Sequence, residues 1–320
     1  MNIDSLPRIR LANLPTPVEE MPRLSKHLGR KLWIKRDDLT GLALGGNKTR
    51  KLEFLCAEAL RLGADMLITA GAPQSNHCRQ TAAAAAKLGL GCLLVLAGDP
   101  QPADSGNLLL DSLFGAELAW TGDRNRDQAL QDALTRTQSA GRKPYLIPYG
   151  GSNPLGAAAY ALAIRELRGQ EIRPDWIILA SSSGGTQAGM VLGARWFGYR
   201  GRIQGISVDG KSAPLRAKIA ALAAETVRTL GDVDSVFDDA IRIDDRFLGA
   251  GYGKAGNLER EAIHLFARRE GILLDPVYTA RAAGGMLELI RRAEIAATET
   301  VLFWHTGGIP AMWAYAKEIL

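Results

Sequence analysis

Short apolar runs alternate with longer amphipathic stretches along almost the whole chain, and this alternation limits the available folds more than any other feature. Strand-like runs lie at 32–35, 66–69, 92–96, 145–147, 176–180, 203–208 and 301–304. Helical patterns occupy 51–62, 79–88, 126–140, 155–168, 258–270 and 280–293. A strand followed by a helix of this length returns the chain to start the next strand in the same direction, so the pattern predicts βαβ units. The predicted class is α/β, with mainly parallel sheets flanked by helices. At 320 residues the chain is long enough for two domains. It has no low-complexity segment and no fixed-period repeat.

Several of these runs end in turns rich in Gly, Ser and Asn: GAPQSNH after 66–69, YGGSN after 145–147, SSSGGT after 176–180 and HTGG after 301–304. Ligands of open α/β sheets gather where strands end and helices begin. Four such turns from distant parts of the chain predict one composite site.

The segment RDDLTGLALGGNKTRKLEFL carries the most chemistry. Lys48 follows Gly45, Gly46 and Asn47 and precedes an amphipathic helix. Near the positive end of a helix dipole the neutral amine costs less, and a neutral amine is what forms an imine with a carbonyl. A plain surface lysine at a helix start is the alternative. In SSSGGTQAG (181–189), glycines expose backbone N–H groups, hydroxyls add donors and a helix start favours an anion, as in a phosphate cradle. Ser75, Asn76 and His77 offer side-chain donors and helix-start amides for a carboxylate. Thr306, within His305–Gly308, offers a hydroxyl to a ligand ring. Each of these turns also reads as an ordinary N-capped βα connection.

Two pattern matches fail on context. Gly205–Ser212 fits GxxxxGK(S/T), the expression of a P-loop ATP-binding protein, yet its variable residues continue the apolar alternation of RIQGISV and read as a strand. Gly251–Gly256 fits GxGxxG, but DDRFLGA before it is a poor buried strand. The 39 basic and 34 acidic residues are scattered without aromatic-interleaved basic runs, which argues against nucleic acid as a partner. No run of about 18 apolar residues spans a membrane, and the charged N-terminus lacks the apolar core of a signal peptide. The three cysteines show no CxxC spacing and the four histidines lie far apart. Free thiols, a cytoplasmic location and no metal are expected.

Together the motifs resemble the fold-type II pyridoxal phosphate (PLP) enzymes, specifically the D-cysteine desulfhydrase and 1-aminocyclopropane-1-carboxylate deaminase family. The likeness runs through TPVEEMPRLSKHLG, IKRDDLTGLALGGNKTRKLEFL, QSNHCRQTAAAAAKLG, PYGGSNPLGAAAY, SSSGGTQAG, GYG, EGILLDPVYTARAAGGM and HTGGIPA, in family order. Eight ordered blocks are far more specific than any one motif.

The resemblance implies a tryptophan synthase β-like fold, with a large PLP-binding domain of residues 1–48 plus 161–320 and a smaller α/β domain of 49–160. The cofactor would lie in the cleft between them, and the enzyme would be a homodimer acting on a small amino acid. Lys48 would match the lysine that carries the cofactor, beside Asn47. Asn76 would bond the cofactor's phenolic oxygen, while Ser75, Asn76 and His77 would meet the substrate. Ser183, Gly184, Gly185 and Thr186 would hold the phosphate. Tyr278 would lie against the cofactor, Tyr252 would be the second active-site tyrosine, and Thr306 would approach the pyridine nitrogen. The deaminase branch has glutamate after the tyrosine of DPVY and leucine in the HTGG turn, whereas this chain has Thr279 and Thr306. Thr279 would then lie at the substrate. Neutral hydroxyls near the ring make a weaker electron sink, which suits departure of a good leaving group from Cβ over opening of a cyclopropane. The expected activity is therefore a carbon–sulfur lyase on D-cysteine. L-cysteate sulfo-lyase or another β-substituted amino acid lyase is the alternative.

Overall fold

The computed structural model describes residues 3–231 and 238–320. Two sheets organise it. The larger has six strands in the order β1-β2-β10-β7-β8-β9: β1 (Val18–Glu20), β2 (Leu32–Arg36), β7 (Trp176–Ser181), β8 (Arg202–Ser207), β9 (Arg242–Asp244) and β10 (Val301–His305). The smaller has four in the order β5-β4-β3-β6: β3 (Met66–Gly71), β4 (Gly91–Leu96), β5 (Glu117–Trp120) and β6 (Pro144–Leu146). Every pairing is parallel except that of β1 with β2.

The α/β class and mainly parallel sheets expected from the sequence are what the chain forms. All seven strand-like runs are strands, and all six helical patterns are helices within a few residues. The three strands absent from that reading, β1, β5 and β9, have three or four residues and lie at or beside sheet edges. An edge strand faces one neighbour and needs little apolar alternation, so it leaves little trace in the pattern.

Helices cover both faces of each sheet, so the strands are buried on both sides. In β10, Leu302 and Trp304 enter one core with Ile177 and Leu179 of β7, while Val301 and Phe303 enter the opposite core with Ile178. In the small sheet, Leu67, Leu94 and Leu96 face one core, and Met66, Ile68 and Val95 the other. The period-two alternation of side chains thus serves two cores at once. The three cysteines are free and buried. No helix among the described residues is long and apolar enough to cross a membrane.

The helix Lys48–Arg61 packs its Leu52, Leu55, Cys56 and Ala59 into the small-sheet core. A buried polar network ties its start to the large sheet. Asp37, after β2, accepts from Arg50 Nε at 3.1 Å, Tyr160 Oη at 2.6 Å and Trp304 Nε1 at 2.8 Å. Arg50 also reaches Glu166, which pairs with Lys35. Tyr160 and Glu166 belong to the helix Pro154–Gly169, whose Ala157, Ala158 and Ala161 lie in the large-sheet core. Leu155, near the start of that helix, still packs against the small-sheet core, so the helix Pro154–Gly169 touches both cores.

Candidate active site

The C-terminal ends of β3, β7 and β10 and the start of the helix Lys48–Arg61 converge on one cleft. Asn47, Lys48, Ser75, Asn76 and His77 line it. Ser183, Gly184, Thr186, Tyr278 and Thr306 line it as well. The four turns flagged in the sequence all contribute: Tyr149 and Gly150 from YGGSN complete the wall.

Lys48 is the first residue of its helix and half-buried. Among the described residues none pairs with its amine, and burial pulls its pKa from 10.5 down to about 8. The backbone around it is clamped. Asn47 N–H donates to Thr306 O at 2.9 Å, joining the GGNK turn to the HTGG turn. The two turns touch main chain to main chain: a Cβ on Gly307 (φ +87°) would come 2.6 Å from Gly46 Cα, so only glycine fits there.

In the same cleft, the helix Gly185–Phe197 begins without a side-chain cap and without an acid in its first turn. Its first N–H groups have no intrahelical acceptor, and a helix start of this kind attracts an anion. A Cβ on Gly185 would meet Ser152 Oγ at 2.6 Å and Lys51 Nζ at 3.0 Å, so two further donors crowd this turn. Gly185 itself lies just behind the cleft lining, its N–H donating to Ser152 Oγ at 3.2 Å. Asn47 Nδ2 donates to Thr186 Oγ1 at 3.2 Å, linking the cradle to the lysine's turn.

On the small-sheet side, Ser75 caps the helix Asn76–Leu88 by accepting from Cys78 N–H at 3.2 Å, and it also lines the cleft. Capping and cleft exposure coexist in one residue. Thr69 Oγ1 donates to Ile147 O at 2.8 Å and lies 3.0 Å from His77 Nε2, so Nε2 carries the proton. His77 Nδ1 is buried without a partner. Burial, with Lys48 and Lys51 nearby, holds this imidazole neutral, its pKa well below the usual value.

Comparison with known proteins decides the class. Residues 9–307 match the model of the pyridoxal-phosphate dependent enzyme family. The chain belongs to that family. It is 42% identical to a D-cysteine desulfhydrase of Klebsiella pneumoniae over 99% of both chains. It is also 42% identical to one of Yersinia enterocolitica, over 98% of this chain and 97% of that one. A crystal structure described as an ACC deaminase homologue superposes with a TM-score of 0.92 at 38% identity, covering 99% of this chain and 96% of that one.

The residues present fit pyridoxal phosphate. An unpaired amine faces the cleft for the aldehyde, and an uncapped helix start with hydroxyls and Lys51 beside it suits the phosphate. Lys51 escaped the sequence reading. It is fully buried, donates to Gly150 O at 3.1 Å, and burial with the neighbouring Lys48 and Lys218 pulls its pKa well down. Its spacing of three from Lys48 puts both amines on one helix face, and that was the available signal.

Besides Gly185, two family residues sit outside the cleft lining. Tyr252 reaches it through Tyr278, their hydroxyls 2.7 Å apart and their rings edge to face at 5.9 Å. Burial raises both phenols above their ordinary pKa, so both are neutral at physiological pH. Thr279 is fully buried and turned toward Asp275, donating to Oδ1 at 2.7 Å and accepting from Asp275 N–H at 2.8 Å. It shapes the start of the helix Thr279–Arg291 below Tyr278 rather than lining the cleft.

Proposed function

We propose that this enzyme eliminates the thiol of D-cysteine, adding water to give pyruvate, ammonium and hydrogen sulfide. The observation that carries the reading is the partnerless amine of Lys48 facing an uncapped helix start across one cleft. The two D-cysteine desulfhydrase relatives, alike over nearly the full chain, support the choice of substrate.

In this reading Lys48 holds the cofactor, with Ser183, Gly184, Gly185, Thr186 and Lys51 at the phosphate and Asn76 at the phenolic oxygen. The bound cofactor supplies a sink for the electron pair left on Cα. Lys48 takes the Cα proton; with a pKa of about 8, roughly one amine in ten is neutral at pH 7, against far fewer for an ordinary lysine. Ser75 and the first amides of the helix Asn76–Leu88 hold the substrate carboxylate, with His77 behind them. The Tyr278–Tyr252 pair, neutral and hydrogen-bonded, delivers a proton to the departing sulfur. Thr306 faces the ring with a neutral hydroxyl, and Thr279 sets the Tyr278 turn through Asp275. We further propose two domains divided near residues 48 and 160, the second boundary lying within the helix Pro154–Gly169, together with a homodimeric assembly and a cytoplasmic location.

The test is a substrate panel on the purified holoenzyme: D- and L-cysteine, β-chloroalanine, L-cysteate and aminocyclopropane carboxylate, scored for keto acid, sulfide and sulfite. D-cysteine is expected to give pyruvate and sulfide fastest. Sulfite from L-cysteate at a higher kcat/KM would replace the proposed substrate. Lys48→Ala is expected to be colourless, folded and reduced by a thousandfold or more, on the scale of losing an essential base and nucleophile. Full turnover in that variant would remove Lys48 from the mechanism.

A further inference from the structure

Behind the cleft runs a chain of buried donors that the reading above leaves unused. Asn107 and Arg79 are both fully buried, and neither lines the cleft. Asn107 Oδ1 accepts from Arg79 Nη1 at 3.1 Å. A guanidinium only donates, so this contact fixes which end of the Asn107 amide is oxygen. Its NH2 then faces the other way, donating to Gln74 O at 2.8 Å and to Asn76 Oδ1 at 2.9 Å. With its oxygen engaged by Asn107, which lies outside the lining, Asn76 turns Nδ2 the other way; a Cβ on Gly308, next to the lining residue Gly307, would come 2.9 Å from that nitrogen and 2.7 Å from Asp275 Oδ1. Arg79 is held in turn by Gly45 O at 2.7 Å, in the turn that carries Lys48.

We propose that Arg79 and Asn107 are positioning residues that lock the Asn76 amide with its NH2 toward the cleft, giving the cofactor's phenolic oxygen a polarised donor. The inference rests on Asn76 being the partner of that oxygen. An asparagine amide has nearly the same shape in either orientation, so packing alone does not choose between them. The reversed amide would set an acceptor against an anionic oxygen. Direction must come from groups that can only donate or only accept, and Asn107 has one at each end: Arg79 donates to its oxygen and the Gln74 carbonyl accepts from its NH2.

The charge of Arg79 adds to the polarity. The acids it feels are Asp111 and Asp275. Asp111 is fully buried with neither oxygen hydrogen-bonded, and burial pushes its carboxyl up to about 8, so it is protonated near neutrality. Asp275 is engaged by the N–H groups of Val277, Tyr278 and Thr279 and by the Thr279 hydroxyl. Among the described residues no carboxylate hydrogen-bonds the guanidinium, whose Nη1 and Nη2 donate to Asn107 Oδ1 and Gly45 O.

The test compares holoenzymes of the parent, Asn76→Ala, Asn107→Leu and Asn107→Asp, reading the pH midpoint of the bound cofactor's visible band. A lost donor at the ring oxygen raises the proton affinity of the adjoining lysine–cofactor linkage. Asn76→Ala is expected to raise the midpoint by about one unit, tenfold in proton affinity. Asn107→Leu is expected to recover at least half of that shift. Asn107→Asp, whose carboxylate draws the Asn76 NH2 away from the cleft, is expected to exceed it. If Asn76→Ala shifts the midpoint and Asn107→Leu leaves it within about 0.2 unit, roughly a fifth of the expected one-unit shift, the relay is overturned while the role of Asn76 stands. If neither moves it, the role of Asn76 fails and the relay with it. Should the Asn107 variants not fold, an atomic-resolution structure of the parent holoenzyme decides: Asn76 Nδ2 toward the ring oxygen supports the relay, and Oδ1 there overturns it.

Discussion

A lysine amine with no acid beside it in a half-buried cleft gives up its proton far more readily than one in water, and Lys48 is in that position. Desolvation penalises the charged form alone, so the pKa falls from 10.5 to about 8. The sign is testable on the cofactor-free protein with a neutral acylating reagent such as acetic anhydride, reading Lys48 by peptide mass spectrometry. Its labelling rate is expected to climb tenfold per pH unit up to about pH 8 and then level off. A rate still climbing at pH 10 would mean an ordinary lysine. At this scale the sequence exposed what glycine neighbours and helix starts announce: Lys48, the Ser75 turn and the 181–186 cradle. It did not expose Lys51, because a lysine inside a helical pattern reads as solvated until its burial is known. Thr279 went the other way: adjacent to Tyr278 in the chain, it points at Asp275, an orientation set by the helix start and invisible in the letters.

Elements were legible where both of their faces are apolar. The central strands β3, β4, β7, β8 and β10 carry apolar runs because helices cover them on two sides, while the three- and four-residue strands β1, β5 and β9 lack such runs. How two helices meet was not legible, since small residues carry no periodic signal. The helices Pro154–Gly169 and Gly185–Phe197 cross so closely that a Cβ on Gly189 would lie 2.0 Å from Ala157 O and 2.6 Å from Tyr160 Cβ. Tyr160 in turn donates to Asp37, so the crossing supports the network that holds the lysine's helix. Gly189→Ala is expected to destabilise the protein by about 1–3 kcal/mol, as overpacked sites do. Gly169, exposed at the end of the first helix, would place a Cβ with nothing within 4 Å. There Gly169→Ala should be neutral or stabilise by a few tenths to about 1 kcal/mol. Denaturant melts of the pair check the contrast, and a Gly189→Ala variant as stable as the parent would show that the crossing has room for the methyl group.

At the scale of the whole molecule, the strand–helix alternation foretold that four glycine-rich turns would lie at strand ends, but not which would face which. That follows from the three-dimensional order of the strands: β10 lies between β2 and β7, so its HTGG turn reaches both the GGNK turn after β2 and the cradle after β7. Ser75 and Asn76 arrive from the other sheet, at the helix start that follows β3. A ligand touching all four turns therefore bridges two separately packed cores, and its binding free energy becomes shared stability. Hydrogen–deuterium exchange on cofactor-free and cofactor-loaded protein tests this. Loading is expected to slow exchange together at 45–52, 73–80, 181–188 and 305–309, by tenfold or more at ligand concentrations well above Kd. Pyridoxal without its phosphate should protect 45–52 and leave 181–188 nearly as in the cofactor-free protein, because the uncapped helix start has lost its anion. Protection confined to 181–188 with the full cofactor would mean that the phosphate binds there while the lysine's turn stays apart, and the cleft would not act as one site.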